Sequence, residues 1–246
     1  MLINPAIAGL TFRQSLAKRR WIIVAVLAAL PIVMAEVTRI YAGTDEPIVI
    51  VREILSALSL TVVVPVIALT LASSGFGAEV DDGTVVYLLT KPISRVEIVA
   101  TKLLVTSLIC ITTTVVSTFA TGLVGLHQLD ATHLVVGFTV AAALGAFLYT
   151  ALFLALGLIT RRGMLVGLIY LVVWEGAASQ FFPGTRSLSV RHYMLAITDA
   201  ISKADAANAL TPLPHATAYQ MSVFVAVAAI ALCIHRLRTF EVGQSG

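Results

Sequence analysis

Six apolar runs take up most of this chain, each close to or above the roughly 20 residues that a helix needs to cross ~30 Å of hydrocarbon. They fall at about 21–40, 54–73, 103–126, 134–159, 164–182 and 218–234, divided by short charged or turn-forming stretches. Only 12% of the 246 residues are charged and 59% are hydrophobic, whereas soluble domains carry about 25% charged residues. Spans and short connections use up the length, so no soluble domain fits beside them. The expectation is an all-α integral membrane protein with a single transmembrane domain over 1–246.

An even number of spans puts both termini on one side, and basic residues identify that side. Arg13, Lys18, Arg19, Arg20, Lys91, Arg95, Lys102, Arg161, Arg162, Arg236 and Arg238 flank one face, eleven in all, against five (Arg39, Arg52, Arg186, Arg191 and Lys203) on the other. Both termini are therefore expected in the cytoplasm. A net charge of +3 then reflects topology, and no nucleic acid is implied. The basic start followed by Trp21 to Leu30 and Val33-Met34-Ala35 has the outline of a signal peptide. Asn4-Pro5 followed by Ile7, Leu10 and Leu16 instead suits an amphipathic helix over about 5–20, lying on the inner leaflet and turning into the first span.

The outer connections differ in size. His127 to His133 is short, while 183–215 is long and carries Val190, Tyr193, Met194, Ile197, Ile201 and Ala204 at helical spacing. One or two amphipathic helices follow from this, at the outer interface or dipping partway into the protein. Pro31 and Pro65 are candidate kinks. Gly137, Ala141 and Gly145, four apart, and Gly163-x-x-x-Gly167 are sites of close helix packing, within one subunit or between two.

Charge gathers in one central stretch, Glu79 to Lys102. Asp81 and Asp82 can cap a short helix with Val85, Leu88 and Leu89 on its apolar face, and Pro92 follows it. Ser94-Arg95-Val96-Glu97 then has the form of a capping box, so a helix should begin there in the cytoplasm and enter the membrane at Lys102. A helical hairpin protruding from the inner surface, acidic at its start, suits docking into a groove on another protein.

Glu79, Gly83-Thr84, Leu88-Leu89, Pro92-Ile93-Ser94-Arg95, Glu97-Ile98 and Lys102 resemble the cytoplasmic loop of ABC-2 type transporter permeases. They are most similar to the branch that includes permeases of nitrous-oxide-reductase maturation and gliding motility. Val80 departs from the Arg that many relatives place after the acidic residue. The resemblance implies an N-terminal interfacial helix, six spans and a larger outer segment before the sixth. It also implies that 79–102 is a coupling region touching an ATP-binding subunit, with Glu79, Asp82, Gly83, Thr84, Leu88, Leu89, Pro92, Ser94, Arg95, Glu97 and Lys102 at the contact. Two ATP-binding subunits and a second permease, identical or homologous, complete the implied exporter in the cytoplasmic membrane of a prokaryote. No Gly is followed by Lys-Ser or Lys-Thr, so the chain has no P-loop, and ATP with its Mg ion is expected on the partner. No cofactor is expected on this chain.

Glu175 stands inside the fifth run, where a charge needs a cavity, a partner or an interface; it either lines a pathway or makes a structural pair. Glu36 can pair with Arg39 three residues on. The alternative function, an ion- or proton-coupled secondary transporter, would use Glu175 and Glu36 as its sites. The five histidines show no metal-ligand spacing, and Cys110 and Cys233 are expected as two separate buried thiols. No His-Glu-x-x-His or Gly-x-Ser-x-Gly points to a membrane enzyme.

Overall fold

The structure, a computed structural model, describes residues 5–15, 18–41, 47–73, 75, 94–126, 131–160, 162–203 and 209–239. Among these every regular element is a helix, the form that satisfies its own backbone groups in hydrocarbon. We label them α1 (Pro5–Ser15), α2 (Lys18–Tyr41), α3 (Pro47–Ala72), α4 (Arg95–Gly125), α5 (Thr132–Ile159), α6 (Gly163–Ala178), α7 (Val190–Ser202) and α8 (His215–Thr239). Ser179–Phe181 extends α6, and a 3-10 turn, Pro183–Leu188, precedes α7.

Five of these, α2, α3, α4, α5 and α8, are long and apolar enough to cross a membrane. The expected fifth span, 164–182, corresponds to α6, whose Gly163–Ala178 is a shorter apolar helix. It rises no more than about 24 Å before its extension, below the ~30 Å of a bilayer core. By length and composition the described residues hold five candidate spans, and α6 is the shorter apolar helix where the sixth was expected.

α3 and α5 form the centre, with 67% of their apolar windows buried, against 17% for α2 and 22% for α8. Small residues set the distances between helices, since lipid gives no hydrophobic drive for helices to associate. A Cβ on Gly122 of α4 would meet Val135 of α5 at 2.7 Å. One on Gly163 would meet the Gly157 Cα at 2.8 Å, where α5 turns into α6, and one on Gly167 would meet Leu69 of α3 at 2.4 Å. The Ser117 hydroxyl donates to the Ala28 carbonyl at 2.5 Å, joining α4 to α2.

These contacts sort the bundle into two ends. Gly125 lies against Val51 and Ala35, and Gly137 against Thr198. At the opposite end Gly75 touches Leu154, Lys102 Nζ donates to the Gly75 carbonyl at 2.9 Å, and Arg95 donates to the Leu237 carbonyl. The start of α4 and the last turns of α5 and α8 therefore share one end, as the charge pattern requires.

One feature differs from expectation and another selects between alternatives. α1 packs on α4 through Ile7, Thr11 and Ser15, all buried, while Leu10 and Phe12 are exposed. The small hydroxyl residues allow that approach, Thr11 turning its own hydroxyl back to the Ile7 carbonyl at 2.9 Å; Leu16 lies outside the described residues. α7, for its part, does not lie on a surface. Tyr193, Met194 and Thr198 are fully buried, and a Cβ on Gly145 of α5 would meet Met194 Sδ at 1.9 Å. The stripe Gly137, Ala141, Gly145 is the bed for α7 within this one chain. Of the two placements expected for 183–215, the described part adopts the dipping one; Ala204 is outside the described residues.

Pro65 leaves its mark on α3. Its missing N–H and ring disturb the turn ahead of it, and Ile54–Val63 is a π-helix in which the Val64 amide reaches five residues back to Ser59. α2 continues unbroken through Pro31.

Candidate functional site

Tyr170–Ala178 of α6 is a second π-helical stretch, and Glu175 lies within it. In an α-helix side chains five residues apart diverge by about 140°; the wider π turn, with its i to i+5 bonding, lets the Tyr170 hydroxyl reach Glu175 Oε1 at 3.0 Å. The same oxygen accepts from the Val190 amide at 3.0 Å, and Oε2 accepts from the Ser189 hydroxyl at 2.5 Å. The buried Tyr149 of α5 lies within electrostatic reach of the same carboxylate. At 3% exposure, Glu175 faces protein on every side. Its carboxylate takes up one of the amides a helix start leaves unpaired and sits where the α7 dipole is positive. Three elements, α5, α6 and α7, meet at this one side chain.

Ser189 is also the N-cap of α7, accepting from the His192 amide at 3.4 Å. The turn before it is fastened by side chains: Trp174 Nε1 to the Leu188 carbonyl at 3.3 Å, Tyr193 to the Ser187 carbonyl at 2.6 Å, and Thr185 to the Ala178 carbonyl at 2.9 Å. Further along α7, Asp199 accepts from the amides of Leu210 (3.0 and 2.9 Å) and Thr211 (3.2 Å), tying the chain that leads to α8 back onto the helix. Burial raises the Asp199 carboxyl above its ordinary pKa, against the pull of those two amides. His192 Nδ1 lies 2.9 Å from Thr211 Oγ1. Burial, then the charges of Arg191 and Arg186, push the imidazole down to about 4, so it is neutral at pH 7.

Four of the expected coupling residues fall in the described structure. The Ser94 hydroxyl accepts from the Glu97 amide at 3.2 Å and α4 begins at Arg95, as the capping pattern predicts. Lys102 is buried and bound to Gly75, and Arg95 reaches Leu237. Glu79, Asp82, Gly83, Thr84, Leu88, Leu89 and Pro92 lie outside the described residues, as do Val80 and Ile93. Glu36 pairs with Arg39 at 2.6 Å on the exposed part of α2, and among the described residues nothing joins it to Glu175.

Tyr149, Tyr170, Ser189, His192 and Asp199 were not singled out by sequence. Ser189 alone had a local signal, a serine directly ahead of helically spaced apolar residues. The others act through partners 5 to 26 positions away, for which no motif exists.

No curated protein matches the chain. A family model, that of the ABC-2 family transporter proteins, matches residues 5–242. With nearly the whole helical bundle inside that match, the chain belongs to the ABC-2 transporter family and is a permease component of an ABC transporter.

Proposed function

We propose that this permease exports a substrate across the cytoplasmic membrane of a prokaryote, driven by ATP hydrolysed on a separate nucleotide-binding subunit that docks at the 79–102 coupling region. Two such subunits, holding ATP and Mg, work on a pair of permeases, identical or homologous, with the termini in the cytoplasm.

The observation that carries this reading is the clamp at Gly75 and Arg95, on either side of residues 76–93. Lys102 ties the start of α4 to the carbonyl of Gly75, just beyond α3, and Arg95 ties it to the last turns of α8. A push on the segment between them would be delivered to α3, α4 and α8 together, all three of membrane length. Motor closure would then rock these helices between inward-open and outward-open or collapsed states.

The test is a Glu79→Lys, Gly83→Trp double variant of the chain, purified with the ATPase that copurifies with it and reconstituted. Transport and stimulated ATP hydrolysis should fall together while the permease keeps its thermal stability. Unchanged transport in a well-expressed variant, or no ATPase in the purified complex, defeats the reading.

A further inference from the structure

Around the start of α7, buried donors outnumber the acceptors available to them. Arg186 Nε, Arg191 Nε and Nη1, and His192 Nε2 are all buried with no hydrogen-bond partner. His192 is only 8% exposed. Both guanidinium charges act on its ring, so the three side chains share one neighbourhood. Of the acceptors nearby, the carbonyls of Ala178, Ser187 and Leu188 are engaged by Thr185, Tyr193 and Trp174, and the Glu175 carboxylate by Tyr170, Ser189 and Val190, while the Ser179 carbonyl acts on the His192 ring without completing a hydrogen bond to it. His192 Nε2 is a fourth unmet donor in the tautomer in which Nδ1 accepts from the Thr211 hydroxyl.

Charge follows the same pattern. Among the described residues neither guanidinium group takes part in an ion pair. In a poorly screened setting an unmet charged donor is more costly than a neutral one.

We infer that Arg186, Arg191 and His192 form a binding site for a phosphate-type oxyanion, carried either by free phosphate or by a lipid headgroup. Four donor atoms from three side chains match an anion with three or four oxygens, and the planar arginine forks suit it better than a point charge would. The site does not rest on the transport reading and is tested by binding alone.

Purified full-length chain in non-ionic detergent is titrated with inorganic phosphate, with chloride at equal ionic strength as control. In parallel it is placed in nanodiscs of phosphatidylcholine with and without phosphatidylglycerol, and thermal unfolding is followed in both. The unfolding midpoint of the wild type should rise in at least one series. A response to inorganic phosphate identifies the free anion, and a response to phosphatidylglycerol alone identifies the headgroup. Arg191→Gln and Arg186→Gln should each weaken the responding interaction by about tenfold or more, the size expected for losing a charged hydrogen bond. Arg191→Lys, which keeps the charge and loses the fork, supplies the comparison if Arg191→Gln does not fold, and should still weaken binding. A wild type that responds in neither series overturns the proposal, as do arginine variants that respond as the wild type does.

Discussion

Replacing Glu175 with alanine should destabilise the chain by about 3–6 kcal/mol. Three donors lose their acceptor: the Val190 amide, which cannot turn elsewhere, and the hydroxyls of Ser189 and Tyr170, which can turn only within a packed site. A stranded buried donor costs about 1–3 kcal/mol, and taking about 1–2 for each allows for that rotation. Glu175→Gln keeps an acceptor for Tyr170 and Val190 and sets an amide against the Ser189 hydroxyl, which can rotate to accept; its cost should be about 1 kcal/mol. The assay is thermal unfolding of the detergent-purified chain, with size exclusion to report assembly. Wild type, Glu175→Gln and Glu175→Ala should melt in that descending order. Because the donors share one carboxylate, Tyr170→Phe combined with Glu175→Ala should cost clearly less than the two changes summed. Equal midpoints for the alanine and glutamine variants would refute the capping argument. A glutamine variant as stable as wild type but impaired in transport would move Glu175 from anchor to pathway.

Gly163→Val should lower stability by about 1–3 kcal/mol by overpacking, since the clash is with Gly157 backbone that no rotamer change can relieve; an unchanged melting midpoint would sink this. Cysteine at exposed Thr132 should react with an impermeant maleimide from outside intact cells and cysteine at exposed Arg162 only after the inner face is opened; the reverse pattern would invert the topology. Asp199 has a folded-state pKa above its unfolded value of about 3.9, so folding takes up protons in that range, and the stability this contributes is lost as pH rises through the folded pKa. Asp199→Asn keeps an acceptor for Leu210 and Thr211, so its stability relative to wild type should improve between pH 4 and pH 8; parallel pH profiles for the two proteins would contradict the shift.

Sequence exposed the parts of this fold that depend on length and local capping. The long apolar runs became α2 to α5 and α8, and Ser94 with Glu97 located the start of α4 to the residue. Periodicity also found α7, but not its depth. An amphipathic pattern reports that one face is apolar, whereas the burial of His192, Thr198 and Asp199 on the remaining sides comes from α5, α8 and the chain returning at Thr211. The shortness of α6 was hidden for a related reason: the extension Ser179–Phe181 and then Phe182 carry the run past Ala178, so hydropathy overstates the length of the apolar helix. Glu175 was conspicuous in the sequence as a charge in an apolar run, but its partners were not, because Ser189 and Val190 meet it only after the chain has turned back on itself.

The seating of α7 in the glycine stripe of α5 has a consequence for how this protein is made. A 13-residue helix carrying Arg191, His192 and Asp199 is too short and too polar to leave the insertion machinery for lipid as a span in its own right. It has no stable place until α5 is in the bilayer with Gly137 and Gly145 open to receive it, and until Glu175 on α6 is present to meet its first amide. Maturation therefore has two stages, lateral entry of the long helices and then a docking step after insertion. Faults at Gly145 or Glu175 would surface in the second stage, as a chain correctly threaded through the membrane and degraded for want of its last piece.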